Sequence, residues 1–305
     1  PDWSRGLGDV YKRQLANRFL GPAKAGILGW PVTHSRSPLV HDYWLKMHDL
    51  EGSYEKLPAS PEDFQDVVMG LMEAGYAGAN VTVPHKEAAY ALADVVDPSA
   101  SRLSAANLLV FKEGEIHAAN TDGYGFLQSL HEGAEDTNIE KNWLSNPVAL
   151  LGAGGASRAI IGALVDAGVP ELRISNRTME KIESLGFLCE GTQTKMIAVP
   201  WSDRTETLDG CGLLVNTTTL GMSGQPALDI SLDKLPDFAA VFDIVYAPLE
   251  TSLLKVAAQK GLRTVDGLGM LLHQAVPSFA AWFGVTPEVT PELRQLVINN
   301  LEEKS

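Results

Sequence analysis

Cysteine is scarce in this chain, long apolar runs are missing, and positive charge is in deficit. The two cysteines, Cys189 and Cys211, have no spacing typical of a disulfide framework or a metal site, which favours a reducing cytoplasm and no resident metal. No run of about 18 apolar residues is present, so we expect no membrane partner. With 24 Lys and Arg against 38 Asp and Glu, the net charge of −14 argues against a nucleic-acid partner.

The bulk composition is that of a folded protein with more than one domain. At 305 residues, 45% of them hydrophobic and 20% charged, the chain is long enough for two domains with their own cores. Residues 1–14, PDWSRGLGDVYKRQ, lack the apolar core and cleavage site of a signal peptide, and DVYKRQ resembles translated sequencing-adaptor DNA. We therefore interpret residues 1–14 as a non-native scar, with the native start missing or obscured.

The first part of the remaining chain alternates between strand and helix patterns. The pattern AGILGW predicts a strand, and SPLVHDYWLKMH a helix with Ser37 as its N-cap. A second helix is predicted over SPEDFQDVVMGLMEAG, capped by Ser60 and ended by Gly75, and GANVTVP predicts a further strand. Alternation at this spacing is typical of a parallel α/β sheet, and NLLVFKEGEIHAAN predicts an added antiparallel hairpin.

The second part of the chain repeats the alternation after a polar stretch. We interpret residues 131–146, HEGAEDTNIEKNWLSN, as a connection. Beyond it, PVALLGAGGASRAIIGALVDAG and four later β-branched runs predict an independent doubly wound unit. Two helical patterns follow once that sheet is complete, and we expect these C-terminal helices to pack back on the first domain.

A glycine-rich loop lies between a strand and a helix in the second unit, the context that a dinucleotide-binding loop requires. Gly152 permits the tight turn and Gly154 lets the backbone approach a pyrophosphate, while the amides that follow point from the positive end of the helix. Glycines also serve ordinary tight turns, so the flanking strand and helix favour nucleotide binding. The residues of this loop with predicted phosphate contacts are Gly152, Ala153, Gly154, Gly155, Ala156 and Ser157.

The end of the next strand indicates which dinucleotide is bound. The sequence SNRTMEK has Asn176, Arg177 and Thr178 where NAD enzymes usually carry an acid for the ribose hydroxyls. An exposed arginine is often only a solvated surface residue. At this position, about 25 residues past the loop, a guanidinium suits a 2′-phosphate and favours NADP.

Three N-terminal segments carry polar side chains suited to a small anionic substrate. THSRSPLVH offers Ser35 and Ser37 at a helix start, NVTVPHK offers Lys86 after a strand, and AANTDGYGF offers Asp122 beyond the hairpin. Taken singly, each residue has a simpler explanation as a cap, an exposed lysine or a turn residue.

Taken together, these segments resemble one family. SRSP, NVTVPHK, AAN, NTDGYGF, GAGGASR, NRT and DGLGMLLHQA occur in the order and spacing of shikimate dehydrogenases, over about residue 25 to the C-terminus. The resemblance implies an α/β fold with a mainly parallel N-terminal substrate domain, a Rossmann NADP-binding domain and an active site in the cleft between them. It implies boundaries of 15–122, completed by 271–305, for the shikimate-binding domain and 123–270 for the NADP-binding domain.

The implied reaction is the reversible NADP-dependent reduction of 3-dehydroshikimate to shikimate, a step of the shikimate pathway to chorismate and the aromatic amino acids. By the resemblance, Lys86 and Asp122 are catalytic and share a proton as a coupled pair. The implied substrate residues are Ser35, Ser37, Thr82, Lys86, Asn107, Asp122, Tyr246 and Gln274. The implied cofactor residues outside the glycine loop are Asn176, Arg177, Thr178, Lys181, Asp97, Ile244 and Gly267. A cytoplasmic monomer or homodimer with a small-molecule substrate is expected.

Departures from the family pattern and two rival functions remain open at this stage. Leu108 stands where threonine is usual, His85 replaces a common aromatic residue before Lys86, and Lys181 replaces a second arginine. One rival is a quinate/shikimate dehydrogenase that accepts NAD, against which Thr178 argues because such relatives tend to carry an acid there. The other is a non-catalytic ligand-sensing protein on the same fold, which would be expected to lose Lys86 or Asp122.

Overall fold

The computed structural model describes residues 22–134 and 137–303, which form two compact units. The first unit combines the chain up to Thr121 with the C-terminal segment from Gln274. The second unit takes the segment between them, from Asp122 to His273. The proposed scar at residues 1–14 lies outside the described residues. Among those residues, no helix is long and apolar enough to cross a membrane, and no group of His, Cys, Asp and Glu is placed to hold a metal ion.

The first unit is built on a six-stranded mixed sheet with the order β2-β1-β3-β5-β6-β4. All neighbours pair in parallel except β5, which runs antiparallel to both β3 and β6. The hairpin between β5 and β6 turns at Glu113 and Gly114, which both have positive φ, as the EG pair predicted. The strands are β1 (Ala23–Gly29), β2 (Gly52–Pro58), β3 (Gly78–Val81), β4 (Val95–Val96), β5 (Leu108–Lys112) and β6 (Glu115–Ala119).

Helices connect these strands, and two of them begin differently from the prediction. They are α1 (Ser37–Met47), α2 (Phe64–Glu73), α3 (Lys86–Leu92) and α4 (Pro98–Leu103). Ser37 is the first helical residue rather than the N-cap, because its amide donates to Ser35 Oγ at 3.2 Å. Ser60 was also wrong as a cap: its hydroxyl donates to Asp63 Oδ2 at 2.7 Å and organises a turn that precedes α2. Gly75, with φ +76°, ends that helix as predicted.

An aromatic cluster lies between α1 and the helix that carries Phe279 and Trp282. The His41 ring is fully buried, stacks on Tyr54 with centroids 3.9 Å apart, and lies against Trp44, Phe279 and Trp282. Neither of its ring nitrogens has a hydrogen-bond partner among the residues that the structure describes. This burial lowers the pKa of His41 to about 3, so the ring is neutral at physiological pH.

The second unit is a six-stranded, fully parallel sheet with the order β12-β11-β10-β7-β8-β9, which is the doubly wound order of a Rossmann fold. The strands VALL, LLVN and AVFD of this sheet are fully buried, which explains why their sequences are mostly apolar. The strands are β7 (Val148–Leu151), β8 (Glu171–Asn176), β9 (Lys195–Pro200), β10 (Leu213–Asn216), β11 (Ala240–Asp243) and β12 (Arg263–Val265).

Helices flank this sheet. They are α5 (Asp122–Ala134), α6 (Thr137–Leu144), α7 (Gly155–Asp166), α8 (Met179–Glu183) and α9 (Ser252–Gln259). The helix α10 (Gly267–Phe283) begins in the second unit and continues into the first, and α11 (Pro291–Glu302) belongs to the first unit. The prediction of a connection over residues 131–146 was therefore wrong, since the end of α5 and all of α6 lie there. Trp143 explains the difference: it is buried and its indole N–H donates to the Phe238 carbonyl at 2.9 Å.

Candidate active site

Four segments leave the second sheet at one edge, and those after β7, β8 and β11 carry predicted site residues. Leu151 at the end of β7 is aligned with Ser175 near the end of β8 and with Asn216 at the end of β10. Asn216 is in turn aligned with Asp243 at the end of β11. Ligands of open parallel sheets bind outside the carboxyl ends of the strands, so this edge is where a nucleotide would lie.

The glycine loop after β7 has the geometry of a phosphate cradle. Gly152 has φ +107°, and a Cβ there would lie 2.6 Å from Thr217 Oγ1, so a side chain is excluded by both conformation and space. Gly154 and Gly155 are exposed, and a Cβ on either would meet nothing within 4 Å. A ligand can therefore approach the backbone of both glycines closely at the N-terminus of α7, where the helix dipole favours an anion. The residues present fit a pyrophosphate.

Ser157 supports this loop from the side of the protein core. Its Oγ accepts the Gly154 amide at 3.0 Å and lies 2.6 Å from Thr217 Oγ1. Thr217 in turn donates to the Leu151 carbonyl at 2.7 Å. Because Ser157 is fully buried, its hydroxyl fixes the loop conformation, whereas Ala153 and Ala156 are partly exposed on the loop itself.

The strand end that the sequence analysis assigned to the 2′-phosphate lies beside this loop. Asn176 is the last residue of β8, and its Nδ2 donates to the Thr178 carbonyl at 2.8 Å, which shapes the turn into α8. Arg177, Thr178 and Lys181 are all exposed around this turn. Two cationic side chains are thus presented to solvent next to the loop, an arrangement that can bind a phosphate.

The segment after β11 brings together three further predicted residues. The Gly267 amide donates to the Val245 carbonyl at 3.3 Å, and a Cβ at Gly267 would collide with the Ile244 carbonyl. Gly267 therefore allows close packing of the start of α10 on Ile244. Tyr246 is half-buried in the same segment.

The predicted carboxylate-binding serines of the first unit contact each other at the start of α1. Ser35 Oγ donates to Ser37 Oγ at 3.2 Å, and Ser37 is buried while Ser35 is partly exposed. The Ser37 side chain also lies beside the phenol of the buried Tyr54, where it acts to lower the pKa of that phenol against the larger effect of burial. Burial raises the pKa of Tyr54 well above its ordinary value, so the phenol keeps its proton and donates to Asn80 Oδ1 at 2.8 Å.

This chain of hydrogen bonds continues through Asn80 to the predicted ring-hydroxyl ligands. Asn80 Nδ2 donates to the Asn107 carbonyl at 3.1 Å and to Ser278 Oγ at 2.9 Å. Asn107 Nδ2 donates to Thr121 Oγ1 at 3.0 Å and reaches Gln274 Oε1 at 3.4 Å. The structure therefore brings Ser35, Ser37, Asn107 and Gln274 into one network. Tyr54 and Asn80, which lie between its two ends, were not among the site residues predicted from the sequence.

A tight turn places the backbone of Lys86 beside this network. The Thr82 amide donates to the Leu28 carbonyl at 2.9 Å, and the Thr82 carbonyl accepts from the His85 amide at 3.0 Å. Lys86 is then the first residue of α3, and its carbonyl accepts the Ala106 amide at 2.8 Å, next to Asn107. The buried His85 ring lies 2.9 Å from the Ala59 carbonyl through Nε2 and stacks on Phe64, so its contacts are those of core packing.

Asp122 and Asp97 occupy different structural settings. Asp122 is buried as the first residue of α5, directly after Thr121. Asp97 belongs to the first unit and caps α4, accepting from the Ser99 amide at 2.8 Å and from Ser99 Oγ at 2.6 Å. Ser99 Oγ accepts the Asn120 amide at 3.0 Å, so the Asp97 carboxylate helps to hold the segment that leads to Asp122.

The comparisons with known proteins agree with this geometry. Residues 27–109 match the family described as Shikimate dehydrogenase substrate binding domain, and residues 267–296 match Shikimate 5'-dehydrogenase C-terminal domain. A curated shikimate dehydrogenase (NADP(+)) of Paramagnetospirillum magneticum is 50% identical over 279 residues, which cover 90% of this chain and 98% of that protein. The chain belongs to the shikimate dehydrogenase family.

Solved structures of this family and its relatives share the fold. The shikimate 5-dehydrogenase of Thermus thermophilus, in complex with NADP(H) and shikimate, matches with a TM-score of 0.78 and 34% identity, over 92% of this chain and 99% of that chain. A quinate dehydrogenase from Corynebacterium glutamicum, in complex with NAD, matches with a TM-score of 0.83 and 28% identity, over 91% of this chain and 99% of that chain. The predicted α/β class with a Rossmann unit is confirmed.

Proposed function

We propose that this member of the shikimate dehydrogenase family catalyses the reversible NADP-dependent reduction of 3-dehydroshikimate to shikimate. The observation that carries the proposal is the 50% identity, over nearly the whole chain, to a relative named shikimate dehydrogenase (NADP(+)). The site geometry adds a buried polar network in the first unit and an open glycine cradle in the second. We propose that the first unit binds shikimate and the second binds NADP.

On the substrate side, the polar network supplies donors for a carboxylate and for ring hydroxyls. Ser35 and Ser37 hold the carboxylate, with Tyr246 at the same end of the substrate. Hydroxyl groups of the ring are held by Thr82, Asn107 and Gln274. The network supports these roles because Asn107 and its neighbours are already fixed by hydrogen bonds, which lowers the entropy that binding must offset.

On the cofactor side, the glycine loop holds the pyrophosphate, and Arg177 and Lys181 face the 2′-phosphate with Asn176 and Thr178. Ile244 and Gly267 line the nicotinamide end, and Asp97 is a weaker contact. When bound, NADP supplies the acceptor for the hydride that leaves the carbinol carbon. The exposure of Arg177 at the end of β8 supports NADP over NAD, since a guanidinium binds a phosphate dianion strongly.

Lys86 and Asp122 handle the proton of the reacting hydroxyl. The hydroxyl must lose its proton as the hydride leaves, and a base within hydrogen-bond reach accelerates such a step by about 10²–10⁴-fold. In the reverse direction, the Lys86 ammonium group donates to the carbonyl oxygen. Lys86 starts α3 immediately beside the segment that carries Asn107, which supports its placement near the ring.

A quinate/shikimate dehydrogenase that accepts NAD is the second candidate, and the match to a quinate dehydrogenase in complex with NAD favours keeping it. Quinate carries one hydroxyl more than the shikimate framework, and a pocket not built against a hydroxyl rejects it weakly. Thr178 still argues for NADP, since an acidic residue at this exposed turn would hydrogen-bond the free ribose hydroxyls of NAD.

Nicotinamide absorbance in a two-by-two grid of shikimate or quinate with NADP⁺ or NAD⁺ tests the proposal. Turnover mainly with shikimate and NADP⁺ is expected. Comparable turnover with quinate or NAD⁺ would establish the second candidate instead. Inactivity in all four combinations, from a folded protein that still binds NADPH, would indicate a ligand-sensing protein. We further propose that the protein is cytoplasmic, which its two free cysteines support. We also propose that it is a monomer or a homodimer, which light scattering can test.

A further inference from the structure

The buried carboxylate of Asp243 lies at the end of strand β11, directly before Ile244, a predicted nicotinamide-side residue. Asp243 itself was not among the site residues predicted from the sequence. Asp243 has no exposed surface in the described structure. Burial of a carboxylate is costly in free energy unless its oxygens accept hydrogen bonds. The donors to Asp243 therefore show which segments its carboxylate holds in place.

Three donors from three different segments converge on this carboxylate. Asp243 Oδ1 accepts from Asn216 Nδ2 at 2.9 Å and from the Val245 amide at 3.1 Å. Asp243 Oδ2 accepts from Thr251 Oγ1 at 2.8 Å. Burial raises the pKa of Asp243, and these three hydrogen bonds act in the opposite direction by favouring the ionised form.

The three donors belong to the loops at the carboxyl edge of the sheet. Asn216 ends β10 and also organises the following loop, donating to the Leu220 carbonyl at 3.2 Å and accepting from Thr218 Oγ1 at 2.7 Å. Thr251 is the N-cap of α9. Val245 lies between Ile244 and Tyr246, the two residues of this segment with proposed roles in binding.

We propose that Asp243 is a positioning residue for the reaction, which sets the conformation of residues 244–246 through hydrogen bonds to Asn216, Val245 and Thr251. This rests on the proposed function, because it deepens the role of that same segment. The backbone of β11 is already held by pairing with β10 and β12, so the carboxylate bonds act on the loop beyond the strand.

The arrangement predicts opposite outcomes for two substitutions of the same residue. In Asp243→Asn, Oδ1 still accepts from Asn216 and Val245, and the new amide donates to Thr251 Oγ1, which turns from donor to acceptor. Asp243→Ala leaves all three donors without their acceptor. We expect kcat/KM for shikimate to fall by about 30-fold or more in Asp243→Ala, because a displacement of about 1 Å near reacting groups can cost 10²-fold. Asp243→Asn should stay within about threefold of the wild type.

The dissociation constant of NADPH, measured by fluorescence titration, separates positioning from general damage. The adenosine end is held by the glycine loop and the Arg177 turn, so we expect NADPH affinity in Asp243→Ala to change by less than about threefold while kcat/KM falls. Leu232→Ala is the matched control: Leu232 is buried in a core cluster of the second unit that does not include residues 244–246, so its truncation should lower the melting temperature without removing a hydrogen bond of that segment.

Three results would overturn the assignment. The first is that Asp243→Ala has the same kcat/KM as Leu232→Ala at equal melting temperature. The second is that Asp243→Ala loses NADPH affinity by as large a factor as kcat/KM. The third is that Asp243→Asn is as impaired in kcat/KM as Asp243→Ala. If Asp243→Ala does not fold, Thr251→Val removes one donor alone, and a loss of kcat/KM of about fivefold is expected. Unchanged kinetics in that variant would also overturn it. Inactivity of the wild type with shikimate and NADP⁺ would instead refute the proposed function.

Discussion

Asn107 and Thr121 hold each other through both backbone and side chain. The Thr121 amide donates to Asn107 Oδ1 at 2.8 Å, and Asn107 Nδ2 donates to Thr121 Oγ1 at 3.0 Å. Thr121 Oγ1 also donates to the Gln274 carbonyl at 2.8 Å. Because Asp122 follows directly in the chain, this pair fixes one proposed substrate ligand and the start of a proposed catalytic segment together.

The Thr121 hydroxyl should therefore matter for substrate affinity. Thr121→Val keeps the shape but removes the hydrogen bonds that the Thr121 hydroxyl makes with Asn107 Nδ2 and with the Gln274 carbonyl, so we expect KM for shikimate to rise by roughly tenfold. Steady-state kinetics measures this effect. Thr194→Val is a matched control, since Thr194 is also buried and donates to the Val169 carbonyl at 2.7 Å in the second unit. An equal rise of KM in both variants would contradict the prediction.

Lys86 should be required for turnover rather than for substrate affinity. In Lys86→Ala we expect kcat to fall by about 10²–10⁴-fold, the usual contribution of a positioned acid or base. Substrate binding, followed by calorimetry, should be largely retained. Lys112→Ala, at the hairpin of the first unit, serves as the control. Wild-type turnover in Lys86→Ala would remove this residue from the chemistry.

Arg177 should discriminate between the two dinucleotides. Its removal deletes a charge-assisted hydrogen bond to the 2′-phosphate, so Arg177→Ala should raise KM for NADP⁺ by about 10-fold or more. KM for NAD⁺, which lacks that phosphate, should change far less. Arg263→Ala, on the exposed face of β12 at the other side of the sheet, is the matched control. Parallel effects on both cofactors would contradict the assignment.

His41 should make the stability of the protein depend on pH. Its pKa is about 3 in the fold and 6.5 for an unperturbed histidine, so between these values the unfolded chain binds one more proton. From this residue alone, the free energy of unfolding therefore rises by roughly 1.4 kcal/mol per pH unit as the pH increases from about 3 to about 6.5. The contribution of His41 to stability is lost again as the pH falls through this range.

Urea unfolding of the wild type and His41→Phe between pH 4 and 8 checks this expectation. The substitution keeps a flat ring against Tyr54 and removes the titrating group. The difference in unfolding free energy between the two proteins should grow in favour of the wild type as pH rises to about 6.5, and then stay constant. Parallel curves across the whole range would show that His41 titrates normally.

Local sequence patterns were sufficient for most of the regular structure. The β-branched runs and the glycine-ended helices predicted both sheets, and the EG pair predicted the hairpin, because those signals depend on neighbouring residues. The two-residue strand β4 and the short helix α4 are too brief for a periodic signal. The helix α6 was hidden by its polar composition, although Trp143 anchors it.

The support beneath the site could not be predicted in the same way. Asn80 and Ser278 are bonded across 198 positions, and no local pattern encodes that pairing. The Asp97 carboxylate caps α4, a role that the sequence analysis did not predict, and its contact with the cofactor stays a prediction. Ser37 and Ser60 failed as caps because other side chains and turns arrange the helix starts. Residue types at strand ends indicate which chemistry a site can perform, whereas the residues that hold them in place through hydrogen bonds are brought together only by the completed fold.

The first unit is assembled from two distant pieces of chain, and this bears on the order of events during synthesis. Residues 22–121 leave the ribosome long before the piece from Gln274, which supplies Ser278 and the Trp282 indole that donates to the Leu109 carbonyl across 173 positions. Truncation after His273 should therefore yield a protease-sensitive N-terminal half beside a folded second unit, as limited proteolysis can show. The N-terminal segment of the first unit therefore has to wait, with Leu109 and its neighbours still exposed, until the segment from Gln274 has been synthesised.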